Sequence, residues 1–210
     1  MVLRLCAGLG VGLRESNQLL HAAGLPANYP HIAIDSPNLA LYQGAIDRML
    51  QAHEPYPAMV VDGHFNVVLA NRACTTLFGA PPGGNFVRDF VANPAAAQAI
   101  VNWPEVAWAG LDRLRQQLDR APFDDELRGL VALAEAALSG IDRPPALESG
   151  LVVCPWFRVG DEVVRTIAMV ARFDPVAEVM LDELRIELMY PLDAAAERFF
   201  REGHRQAAPA

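Results

Sequence analysis

The side chains of this 210-residue chain that could do chemistry are scattered rather than gathered. All 17 basic residues are arginine. With no lysine, a Schiff-base lysine, a P-loop lysine and a Ser–Lys dyad are excluded. Cys6, Cys74 and Cys154 lie far apart in the chain and form no C-x-x-C or Cys/His cluster, so no structural zinc site is legible. No metal and no other cofactor is expected. Among the histidines His21, His31, His53, His64 and His204, His64 falls on a hairpin and His53 at a helix end. Neither has a sequence-local Ser or Asp arranged as a relay. Asp182 and Glu183 are adjacent and would point apart on a strand. Glu183 and Glu187 have a helical spacing, but nothing makes them a catalytic pair. Asp161-Glu162 reads as a turn. The chain is read as a binding protein, not an enzyme.

Recognition of an apolar molecule fits the composition better. Met59, Phe65, Phe78, Phe86, Phe90, Trp103, Trp108, Trp156, Phe157 and Met169 could wall a pocket of the aromatic-rich kind that takes such ligands. Core packing is the default for any one of them. Trp103 and Trp108 fall in one helical stretch and are expected to close over the ligand. Arg72 or Arg88 could hold a carboxylate head group in its planar fork, although most arginines are simply solvated. The candidate ligand-binding residues are Met59, Val61, Leu69, Arg72, Phe78, Phe86, Phe90, Trp103, Trp108, Leu111, Phe157 and Met169. Cys74 invites a flavin-adduct reading, but the Asn/Gln set a flavin needs on the later strands is missing. Cys74 is read as a core thiol.

The elements that must position these residues centre on Pro55 to Gly79. Ala58 to Val61 and Asn66 to Ala70 are short apolar runs around Asp62-Gly63, a hairpin cue because Gly accepts φ > 0. Asn71 caps a short helix with Ala73, Leu77 and Phe78 inward and Gly79 as its stop. Strand, turn, strand and Asn-capped helix is how a PAS-type sensor domain begins. Before it, residues 1–24 read as two short helices, 25–35 as a connector, and Ser36-Pro37 as the start of an amphipathic helix ended by Pro55 and Pro57. After it come the APPGGN turn, a short apolar segment 86–91 and three helical stretches. Pro94 to Val101 is Ala-rich. A second begins at Asn102-Trp103-Pro104, and a third is capped by Asp124 or Asp125 and stopped by Gly140. Beyond a polar loop, Leu151 to Val159, Val163 to Phe173 and Leu184 to Tyr190 have strand character, with Gly160-Asp161 as a second tight hairpin. A last helix begins at Leu192-Asp193. The expected fold is α+β: a PAS-like five-stranded antiparallel sheet in the order β-β-α-α-α-β-β-β, with helices on one face as a lid and short N-terminal helices in front.

Apolar residues make up 52% of the chain, enough for a sizeable core. A net charge of −8 repels phosphate, so neither nucleic acid nor an anionic membrane is an expected partner of these residues. Sparse, unpaired cysteines suit the cytoplasm. The N-terminus does not resemble a signal peptide, since Arg4 and Arg14 interrupt its apolar run.

The segments LRESNQLLHAAGLPANYP, AHEPYPAMVVDGHFNVVLANRA, NWPEVAWAGLDRLRQQ and DELRIELMYPLD resemble the MmyB-like family of bacterial transcription regulators over nearly the whole chain. That resemblance implies an XRE-type helix-turn-helix followed by a PAS-like domain that senses a small, fatty-acid-like molecule. Residues 1–24 match only the last helices of the DNA-binding module, so DNA would be reached through a helix-turn-helix upstream of residue 1. The implied division is 1–24 helix-turn-helix remnant, 25–54 connector and amphipathic helix, 55–192 PAS-like ligand-binding domain, and 193–210 C-terminal helix and tail. A homodimer is expected. The alternative is a ligand-free dimerisation module with a filled PAS-like core.

Overall fold

A computed structural model describes residues 1–34, 36–78, 82–145, 154–174 and 177–206. The expected stop at Gly79, part of the APPGGN turn, the strand start at 151–153 and the break at Pro175 lie outside the described residues.

Ala58–Val61 (β1) and Val67–Ala70 (β2) pair antiparallel, as their β-branched runs predict. Their connection is longer than a two-residue turn, and Gly63 is not the residue at positive φ. Phe65 is, at φ 63°. The reason is local: Asp62 Oδ1 accepts from the N–H of His64 at 2.8 Å and of Asn66 at 2.9 Å, which ties the loop into a wider Asx-type turn. Gly63 serves close approach instead, since a Cβ there would lie 3.1 Å from Glu183 Oε2.

The second hairpin matches its expectation. Trp156–Val159 (β3) and Glu162–Ala171 (β4) flank Gly160-Asp161, with Gly160 at φ 60°. Arg185–Pro191 (β5) completes an antiparallel sheet in the order β2-β1-β5-β4-β3, so β5 enters between the two hairpins. The fold is α+β with a PAS-like five-stranded sheet.

Two short helices, Val2–Leu9 (α1) and Leu13–Ala22 (α2), precede this sheet. Ser36 accepts from the Asn38 N–H to open a 3₁₀ turn, Pro37–Leu39, that runs into Ala40–Ala52 (α3). Here α3 packs Ile46 and Leu50 on one sheet face, against Ala58, Val60 and Ile186, so helices lie on both faces of the sheet. On the opposite face sit Arg72–Phe78 (α4), a π turn at Val87–Val91, Pro94–Ala99 (α5), Trp103–Arg120 (α6) and Asp125–Ala137 (α7). Leu111, Leu114, Leu127 and Leu130 interlock within this layer, which meets the sheet through Phe157 and Val164. Asp124, not Asp125, caps α7, accepting from the Leu127 N–H at 2.9 Å. A short helix, Val179–Glu183 (α8), precedes β5, so Asp182 and Glu183 are helical rather than on a strand. The last helix, Ala194–Gln206 (α9), packs on β4 and β5 and buries Ala196 and Phe200 in the core on the α4–α7 side of the sheet.

Candidate functional site

Asn71 joins three elements at the point where sheet gives way to helices. It is 6% exposed. Its Oδ1 caps α4 by accepting from the Cys74 N–H at 2.9 Å, and also accepts from the Ala58 N–H at 3.0 Å. Its Nδ2 donates to Tyr56 O at 2.8 Å and to Leu50 O at 3.3 Å. All four hydrogen-bonding positions of the amide are used, so α4 is set rigidly against β1 and the end of α3.

Two cavities flank α4. The first, about 470 Å³, lies between α4, the π turn, α5 and β3 and is walled by Leu77, Phe78, Phe90, Ala96, Ile100 and Phe157, with Asp89 and Asn93 as its polar groups. Phe78 stands edge-on to Phe90 at 5.2 Å and to Phe157 at 4.9 Å, while Phe86 stacks on Phe90. The second, about 260 Å³, is largely apolar and lies between α4, β3 and α9, lined by Arg72, Ala73, Leu77, Val159, Phe199 and His204 among others. Leu77 belongs to both. Arg72 Nη2 approaches His204 Nδ1 to 2.9 Å at this second cavity.

The remaining sequence candidates are dispersed. Met59 and Val61 are buried on the helical side of the sheet with Cys74 and Met189. Leu111 is interior to the helical layer. Trp103 lies beneath the first cavity's wall, its Nε1 donating to Phe90 O at 2.9 Å. Trp108 is half-buried under the Arg143 guanidinium, 5.4 Å from the ring centre. Two expectations are corrected. Leu69 packs on the α3 side of the sheet, away from both cavities. Met169, opposite Leu188 in the β4–β5 register, is 60% exposed on that same side. Strand alternation explains both: Leu69 and Met169 share the face of Ala58, Val60 and Ile186, not that of Met59 and Val61.

One polar group on the helical side escaped the sequence reading. Arg185 and Glu187 alternate with Ile186 and Leu188, a pattern that ordinarily puts charge in solvent. Here they face the helices, opposite Val61 and Met59. Glu187 pairs with Arg113 of α6 at 2.8 Å, and the guanidinium of Arg185 lies 5.1 Å from the Phe65 ring centre. Burial, with the nearby Arg113 and Arg172 charges, brings the Arg185 pKa down to about 10. Burial likewise pushes the Cys74 thiol up to about 12, a core thiol and not a nucleophile. Among the described residues no group of three or more His, Cys, Asp or Glu could hold a metal ion. None of their helices is long and apolar enough to cross a membrane.

A PAS-like sheet with cavities between it and the flanking helices has the architecture of a domain that can hold a small molecule. Residues 43–202 match the MmyB-like transcription regulator ligand binding domain, and the chain belongs to that family. Its members are regulatory ligand-binding domains rather than a class of enzymes. No curated protein matches the chain.

Proposed function

We propose that this domain binds a small apolar, fatty-acid-like molecule along α4, with its tail in the aromatic cavity and its carboxylate turned toward Arg72. The observation that carries the reading is the pair of cavities meeting at Leu77, one walled by Phe78, Phe90 and Phe157, the other opening at Arg72. An apolar tail supplies affinity by burial, and an arginine at the mouth fixes orientation. Trp103, bonded to Phe90 O, is placed to report occupancy. Titration with long-chain fatty acids is expected to quench or blue-shift tryptophan emission saturably. Ala96→Phe, which fills the aromatic cavity, abolishes the change, and Arg72→Gln weakens binding about tenfold, or 1.4 kcal/mol. No spectral change with any apolar ligand refutes the reading and leaves a ligand-free dimerisation module.

One observation favours a dimer beside ligand binding. Ile167 and Met169 are exposed on the α3 side of β4, and Tyr42 and Met49 of α3 are also exposed. In our reading this stripe meets a second copy, and ligand binding shifts the packing of the helical layer and α3 and so the dimer geometry. Met169→Asp is expected to yield monomers in analytical ultracentrifugation; an unchanged sedimentation coefficient rejects that surface. The regulator would act in the cytoplasm. DNA would be reached through a helix-turn-helix preceding α1 and α2, which we read as that module's closing helices.

A further inference from the structure

The third large cavity lies where residues 7–15, the loop at Gly63-His64, the end of α6, α8 and Arg185 meet, and holds about 370 Å³. Its carboxylates are committed. Glu183 receives both Arg14 donors, at 2.6 and 2.7 Å. Asp124 caps α7 and accepts from His64 Nε2 at 2.9 Å. Asp182 accepts from the Leu13 backbone at the start of α2, and Glu15 accepts from its own backbone N–H. The cations Arg120, Arg172 and Arg185 differ: among the described residues none of them makes an ion pair within 4.0 Å. Arg185 is 8% exposed, yet only Nη2 has a partner, Gln117 Oε1. Its Nε and Nη1 are buried with none. The nearest acid on its strand, Glu187, is engaged by Arg113. An unopposed buried guanidinium is costly, and an anion in contact with it offsets that cost. Arg172 and Arg120 line the same cavity and add to its positive side.

We infer that this cleft is a second ligand site, for a small oxyanion held by Arg185, Arg172 and Arg120, and that its occupant ties the N-terminal helices to the sheet domain. The cleft shares no residue with either cavity beside α4. An occupant touches the α1–α2 connection on one side and the sheet on the other, so it favours the docked arrangement over any in which α1 and α2 lift away. A carboxylate and a phosphate present the same chemistry to these arginines.

The full chain is titrated with sodium phosphate and, separately, sodium succinate, against sodium chloride at matched ionic strength. Calorimetry and the thermal midpoint are read, with amide exchange over residues 2–22. One or both oxyanions are expected to bind saturably with a Kd of about 1 mM or tighter. Phosphate alone marks a phosphorylated ligand, and succinate alone a carboxylic acid. Exchange in α1 and α2 slows on binding. Arg120→Gln with Arg172→Gln, both at exposed side chains, weakens binding by about tenfold or more. Arg185→Gln abolishes binding, and if that variant does not fold the double variant decides. The site is overturned if neither oxyanion exceeds chloride, or if the double variant binds as the parent does, which indicates an adventitious ion only. Binding without slower exchange in α1 and α2 overturns the tie. A failed fatty-acid titration leaves this result standing, because the cavities are separate.

Discussion

Replacing Asn71 separates a helix cap from a three-way joint. In Asn71→Ala the α4 cap is lost, a cost of about 1 kcal/mol. The buried Ala58 N–H is also left without its acceptor, adding about 1–3 kcal/mol. Together these come to about 3 kcal/mol, or roughly 1–2 M in the urea midpoint. Asn71→Asp discriminates better. A cap alone tolerates aspartate, and the helix dipole welcomes it. In this structure both amide hydrogens point at carbonyls, Tyr56 O and Leu50 O. A carboxylate oxygen there faces acceptors and donates nothing, so Asn71→Asp should lose about 2–3 kcal/mol at pH 7. A protonated carboxyl can donate to Tyr56 O, so the folded-state pKa of the introduced carboxyl would rise above the unfolded value of about 3.9. The deficit against the parent then shrinks as pH falls through the folded pKa and is smallest below the unfolded one. The assay is urea unfolding of parent and both variants from pH 7 down to pH 4. An Asn71→Asp variant as stable as the parent at pH 7 would refute the joint and leave only a cap.

Further outcomes follow from the same geometry. The Cys74 thiol, held up near pKa 12 by burial, should resist a thiol reagent at pH 8 in the folded protein and react at once in denaturant; prompt labelling of native Cys74 contradicts its burial. Gly63→Ala places a Cβ against Glu183, so the Arg14–Glu183 pair must shift, and amide exchange should quicken in α2 while the core strands stay protected. Asp124 is raised by burial but lowered more by the Leu127 N–H and His64, so its carboxyl sits below its usual value. A depressed carboxyl stabilises above its unfolded pKa and loses that contribution as pH falls below about 4. Asp124→Asn keeps a competent cap but loses the carboxylate facing His64, so it should be less stable than the parent at pH 7 by up to about 1 kcal/mol, and the gap should narrow in acid; a gap that does not depend on pH rejects the assignment.

The local signals were readable because they act within a few residues. Asn71 before an apolar helical face, Gly160-Asp161 between strand runs, and Ser36-Pro37 before an amphipathic stripe each satisfy nearby backbone groups, and all three are in place. The five strands and their antiparallel pairing follow from such signals, whereas the helices on both faces of the sheet do not. The aromatic trio Phe78, Phe90 and Phe157 was also named from sequence, because large apolar side chains must be buried somewhere. Which face each strand residue presents was not readable. An alternating strand has two faces, and composition marks the polar one as outer. That rule fails when helices cover both sides, as α3 and the α4–α7 layer do. So Met169 and Leu69 lie on the side away from both cavities, and the inward turn of Arg185 and Glu187 leaves no mark in the strand's alternation. Only the tertiary pairing of β5 between β1 and β4 turns Arg185 inward against Phe65 and leaves its guanidinium beside the α1–α2 connection, 171 positions from Arg14 in the chain. Local chemistry writes caps and turns, whereas a buried charge depends on what packs over it.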